Sequence, residues 1–237
     1  MKNLKVLFFT SLFIVISITT ASTKNVEIVS KKYPVKSFSY IHANTVADIV
    51  YTQSDAFSVI VDGEKDLLDH LIIKVEDGVL SITGDEELNS KNDISLVVFI
   101  NSPNLTSIET YGKGDLCLKG EVKSDHLIIK SFGIGRVHAL NLQCENLCVE
   151  YEGIGSMKLG GTTPQVVIFS SGIGNIYCEN LLAKNAVVRS TRIGKVNCFA
   201  SEGISLLNDG IGEITYHGNP SFKNLQNKGM GEINKGL

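Results

Sequence analysis

Tryptophan is missing from the 237-residue chain and proline occurs only four times. So little proline excludes collagen-like sequence and Pro-rich disorder, while the missing tryptophan selects no fold. Charge is also lacking: 22 basic residues against 25 acidic ones leave a net −3. No basic patch stands out from that balance, which excludes a nucleic-acid-binding surface. The longest apolar run, Val6 to Ile18, covers 13 residues, well short of the ~20 that span a bilayer. At 43% hydrophobic residues the chain has a globular composition, long enough for one or two domains with a real core.

That apolar run belongs to an expected export signal over residues 1–21. Lys2 and Lys5 give the positive start, and Thr19-Thr20-Ala21 gives small residues for cleavage. The first cysteine is Cys117, so no lipid-modified cysteine follows the run. The sequence therefore predicts an exported protein of the periplasm, outer membrane or exterior, with no transmembrane segment after the signal is removed.

Glycine is abundant, 22 residues or roughly 9% against a usual ~7%. Much of the excess lies in a repeated corner: Gly112-Lys-Gly-Asp-Leu116, Gly133-Ile-Gly-Arg-Val137, Gly153-Ile-Gly-Ser-Met157, Gly172-Ile-Gly-Asn-Ile176, Arg192-Ile-Gly-Lys-Val196, Gly210-Ile-Gly-Glu-Ile214 and Gly229-Met-Gly-Glu-Ile233. The seven copies recur every 18 to 21 residues. The fifth position is always apolar and the fourth always polar or charged. Two further apolar columns lie four and six residues before the glycine, as in Ile129 and Leu127 or Val188 and Ala186. Period-2 alternation on both sides of the corner predicts two short strands per repeat.

Such strands cannot bury a core singly but can when coils stack, which predicts an all-β parallel β-helix about 34 Å long over seven coils. A leucine-rich repeat needs a Leu-x-x-Leu-x-Leu-x-x-Asn line, which is absent, and a propeller needs about 40 residues per blade. Arg192 stands where the other corners have glycine, so that corner must adopt an unstrained φ or a wider turn.

The β-helix is expected over residues 105–237. Residues 22–104 read as a β-rich section capping it, with strands near 47–52, 57–61, 71–75, 79–83 and 94–100. Asp77-Gly78 marks a hairpin, residues 64–70 suit a helical turn or a loop, and the charged stretch 85–93 suits an exposed loop. No linker separates the sections, which fits one continuous domain. The stretch Phe38-Ser-Tyr-Ile-His-Ala-Asn, the segment Ala47-Asp-Ile-Val-Tyr-Thr-Gln, Val59-Ile-Val-Asp-Gly, the paired leucines of Asp66-Leu-Leu-Asp, Asp77-Gly-Val-Leu-Ser-Ile-Thr and Asn101-Ser-Pro-Asn-Leu, leading into the first corner, resemble the putative auto-transporter adhesin, head-GIN domain family over residues 37–237. The resemblance implies an exported bacterial protein with a right-handed β-helix-like fold and no assigned catalytic residues. Arg192 and the missing lipoprotein cysteine depart from that pattern.

No catalytic, cofactor or metal residues are assigned. The Gly-x-Gly corners lack the third glycine of a dinucleotide loop and the Gly-Lys-Ser/Thr of a Walker loop. His42, His70, His126, His138 and His217 are dispersed without ligand spacing. Glu213 and Glu232 stand about 5 Å apart in consecutive coils, where coupling could raise one pKa, but a solvated acidic edge is the favoured reading. Cys178 and Cys198 share an inward column and predict a buried thiol stack, with a disulfide as the alternative, while Cys144 and Cys148 are close enough in sequence to bridge a turn although Cys148 falls at an outward position.

The leading function is a non-enzymatic envelope or surface protein that binds a glycan, a matrix component or another envelope protein. One alternative is a scaffold stacking through an open edge near Ile233, with Lys228 and Lys235 as charged guards. The other is a polysaccharide-active enzyme.

Overall fold

The computed structural model describes residues 27–91 and 95–236. The expected export segment, residues 1–21, lies outside these. About 69% of the described residues are strand, wound into a β-solenoid of about six turns, each about 20 residues long. Seven corners bound six complete turns between them.

In chain order the strands are β1 (Ile28–Tyr33), β2 (Tyr40–Thr45), β3 (Asp48–Gln53), β4 (Ser58–Glu64), β5 (Leu71–Glu76), β6 (Val79–Gly84), β7 (Leu96–Ser102), β8 (Ser107–Lys113) and β9 (Leu116–Lys119). The solenoid continues with β10 (Val122–Ile134), β11 (Val137–Ile154), β12 (Met157–Ile173), β13 (Ile176–Ser190), β14 (Val196–Phe199), β15 (Gly203–Asn208), β16 (Ile214–His217), β17 (Phe222–Asn227) and β18 (Ile233–Lys235). Two helical turns interrupt the first third, α1 (Lys65–Leu68) and α2 (Glu86–Ser90).

Parallel pairing carries each coil onto the next in the repeat register: Ile129 lies opposite Val149, Val149 opposite Ile168 and Ile168 opposite Val188. The four columns read from the sequence are the core. Leu127, Leu147 and Val166 are buried before the corner, as are Val137, Met157 and Ile176 after it. The seventh-position column, Ala139, Leu159, Cys178 and Cys198, is also buried, and Leu225 in the last turn is the exposed exception to the pre-corner pattern. Each stacked step buries like on like, so no strand needs a core of its own.

The strands β1 to β7 join this stack. β2 and β3 pair in parallel with β8 and β9, and β6 and β7 pair in parallel with β2 and β3 in turn. Antiparallel strands then finish that end: β5 on β6, and β4 and β1 outside β7. The β5–β6 hairpin turns at Asp77 and Gly78, both at positive φ (49° and 77°), the conformation that a two-residue hairpin demands.

Two local expectations change. The charged stretch 85–93 contains α2 rather than only a loop. Asp85 caps it by accepting from the Leu88 backbone N–H at 2.9 Å, and Leu88 is fully buried. A single apolar residue gives too little periodicity to show a helix of five residues. Residues 45–47 form a corner with no glycine: Thr45 pairs with Gly112, so Thr45-Val46-Ala47 takes the place of Gly112-Lys113-Gly114 one coil earlier. A Cβ on Gly112 or Gly114 would strike the carbonyl oxygen of Thr45 or Ala47. At the first and third positions of a glycine corner a Cβ would thus meet the preceding corner, whereas Thr45 has Gly84 of β6, beside α2, in that place.

Candidate functional site

Three features recur from coil to coil, two at the surface and one buried, each produced by a different column. The first is a ladder beside the corner. The Asp48 carboxylate accepts from the Asp115 backbone N–H (2.8 Å), Asp115 from that of Arg136 (2.7 Å), and the Asn175 amide oxygen from that of Lys195 (2.9 Å). Short polar side chains at the fourth position thereby satisfy backbone donors of the next coil. Burial opposes ionisation of Asp115, but hydrogen bonds and charge from Arg136 outweigh it and hold the carboxyl below its ordinary range. These side chains are structural braces.

The second feature is a trough along the bend opposite the glycine corners. Lys123, Gln143, Thr162 and Leu182 stand in register in successive coils, and Asp125, Glu145, Pro164 and Lys184 line the same depression. Between these columns the small residues Ser124, Cys144, Thr163 and Ala183 leave the bend without bulk. The trough measures about 560 Å³ and runs, through Lys123, Ser124 and Asp125, into a second depression of about 470 Å³ reaching Ser39, Asn104 and His126. Its shape is braced from beneath: the Ser124 hydroxyl lies 2.9 Å from both the Leu105 and His126 carbonyl oxygens, and Thr163 donates to the Gln165 carbonyl at 2.8 Å. At one end Gln53 accepts from the Lys123 N–H (2.7 Å) and donates to the carbonyls of Pro103 and Lys123. The exposed groups include amides, hydroxyls, carboxylates and ammonium groups, with Pro164 and half-exposed Leu182 as apolar members, able to bind a polar ligand along several coils. Sequence reading did not single them out, because their column has no recurring residue type.

The third feature is a buried polar strip under the glycine corner. Tyr151, Ser170, Ser190 and Asn208 are in register there and buried. Arg192 joins them at 1% exposure. Its corner takes the unstrained alternative, since its φ is not positive, and its side chain runs inward. Nε donates to the Gly174 carbonyl (3.0 Å) and Nη1 to that of Ser171 (3.0 Å), with the guanidinium 4.8 Å from the Tyr151 ring centre. Burial lowers the Arg192 pKa, and Tyr151 works against that. Nη2 and the Ser170 hydroxyl lack protein partners.

Glu213 and Glu232 lie in consecutive coils, outside the trough. The Asn234 amide donates to both, at 3.0 and 3.2 Å. Hydrogen bonds from Asn234, Thr215 and Lys195 lower the Glu213 pKa, the reverse of what a coupled acid requires. Among the described residues no group of three or more His, Cys, Asp or Glu could hold a metal. His70 sits 2.8 Å from Asp85, and His42 packs on the Tyr111 ring, which stacks on Phe132.

All five cysteines are free. Cys178 and Cys198 are buried, and burial pushes their thiols up, Cys198 to about 12. Cys144 and Cys148 do not bridge: Cys144 is buried at the bend while Cys148 is partly exposed on the far side of it. Lys235 is turned to Asn219 (3.3 Å), and Lys228 is exposed.

No curated protein matches the chain. Among solved structures, a putative adhesin from Bacteroides fragilis is 33% identical, with 88% of this chain and 97% of that one covered at a TM-score of 0.84. A putative lipid binding protein from Parabacteroides distasonis is 22% identical, covering 90% and 98% at 0.63. A putative adhesin from Parabacteroides merdae is 18% identical, with the same coverage and TM-score. The last two are alike in fold alone. The model of the putative auto-transporter adhesin, head GIN domain, matches residues 37–220. With that match covering most of the solenoid, the chain belongs to the head-GIN adhesin family.

Proposed function

We propose that this is an exported, non-enzymatic protein of the bacterial envelope or surface that holds an extended polar polymer, of the glycan class, along the trough. The observation that carries the reading is the trough itself, where exposed donors and acceptors repeat at the coil spacing, about 4.8 Å. A polymer lying across successive coils meets another exposed side chain at each step, so weak contacts add along its length. The family and its Bacteroides fragilis member are named as adhesins, which fits adhesion at a surface. The ionised Glu213 and its distance in the fold from the trough give no support to glycoside hydrolysis at the Glu213/Glu232 pair.

The test is a glycan array probed with the purified chain and with a Gln143→Ala, Asp125→Ala double variant. Binding should fall at least tenfold in the variant while its circular dichroism stays unchanged, and no shortened glycan should be released. Unchanged binding by the variant, or glycan cleavage by the parent, would overturn the proposal.

The scaffold reading keeps one observation: β17 and β18 are each paired on one side only among the described residues. Light scattering over a concentration series decides it, since end-to-end stacking requires growth beyond a monomer.

A further inference from the structure

The middle residue of each glycine corner points outward. Ile134, Ile154, Ile173, Ile193 and Ile211 stand in parallel register, each 50–53% exposed, and Met230 continues the line at 84%. Together they make a continuous apolar file about 24 Å long, on the edge opposite the trough. Gly174 and its counterparts donate their N–H groups to the carbonyls of the next coil's isoleucine, as from Gly174 to Ile193 at 2.9 Å, so the file is fixed to a rigid backbone.

We propose that this ridge is a lipid-contact edge that inserts between the headgroups of a zwitterionic phospholipid surface. Three observations select that occupant. The file is convex and one side chain wide, with short polar neighbours at its middle, Ser171 and Thr191 on one flank and Ser156 and Asn175 on the other. A rigid protein would need a matching groove, whereas a fluid bilayer closes around any convex shape. The six apolar residues also expose less than the ~800 Å² per partner that a stable protein interface buries, which argues against a second copy. Finally, the flanking charges offer no net cationic patch: Arg136 Nε lies 2.8 Å from Asp115 and Lys195 Nζ 3.4 Å from Glu213, and exposed Lys228 is offset by exposed Glu152 and Asp209 along the same flank. Attraction to anionic headgroups is therefore not the driving contribution, and apolar insertion is.

The absence of tryptophan provides a direct probe. In the chain from residue 22, which keeps every described residue, Ile173→Trp places a single indole on the ridge. Leu182→Trp places one at a similarly exposed site in the trough. With phosphatidylcholine vesicles, emission from the ridge tryptophan should shift to the blue and be quenched by brominated acyl chains, while the trough tryptophan should not respond. Vesicle co-sedimentation should fall at least tenfold in an Ile154→Thr, Ile173→Thr, Ile193→Thr triple variant, whose β-branched replacements keep the strand geometry. An unresponsive ridge tryptophan overturns the proposal, as does triple-variant binding equal to the parent's. Binding confined to anionic vesicles and abolished by salt, or a dimer dispersed by the triple variant, equally overturns it.

Discussion

At the glycine corners the backbones of successive coils approach so closely that a Cβ on Gly174 would collide with the Gly155 carbonyl, and Gly174 also sits at φ +126°. At the opposite bend, threonine, glutamine, proline and leucine share one depression with room between their side chains. The corner restricts which residues can stand inside it and leaves only its tip free. The bend restricts its inward column to small residues and leaves two outward columns open to change. In a solenoid, therefore, the edge that sets the coil stacking and the edge that can acquire specificity need not coincide.

The sharpest way to break this contrast is to place the same side chain on both edges. Gly174→Val should cost at least ~3 kcal/mol, from steric collision and an unfavourable φ. Thr162→Val at the bend should stay within ~0.5 kcal/mol. Urea unfolding of the two variants checks both, and equal midpoints would refute the contrast. Next in size is Arg192, the corner that solves the crowding differently. Arg192→Ala should lose about 2–4 kcal/mol, through a cavity and carbonyls left without their donors. Arg192→Met should recover much of that, because it fills the space without burying a charge; thermal melts of the pair distinguish packing from hydrogen bonding. The smallest effect is kinetic. In native protein at pH 8, Cys117 and Cys148 should react with a maleimide first. Cys144, pushed up to about 11 by burial but lining the trough, should follow more slowly. Cys178 and Cys198 should react only on unfolding. Mass spectrometry of timed samples gives the order, and early labelling of Cys198 would show that the corner side is looser than its packing implies.

What the sequence made legible follows the same division. Glycine at the corner is required by backbone contact, so it recurs and exposes the coil period. The inward columns recur because they stack on one another. Thr45-Val46-Ala47 escaped notice because the requirement for glycine lapses where no earlier corner exists. Arg192 was visible as an exception, but its inward turn depends on carbonyls supplied by Ser171 and Gly174, one coil away. The trough was illegible since Lys123, Gln143, Thr162 and Leu182 share a position and no chemistry. The ridge was in plain view as the isoleucine of Gly-Ile-Gly, and only the coordinates show that this position faces outward.

Parallel pairing between coils has a mechanical consequence. The hydrogen bonds that join one coil to the next run along the solenoid axis. Tension applied along that axis from one end would load a single interface and peel the coils off in succession. Tension applied parallel to the strands would load the bonds of an interface together, in shear. A tether that grips several coils at once, as a strand of ligand lying in the trough would, spreads its load over all of them and bypasses the weak peeling direction.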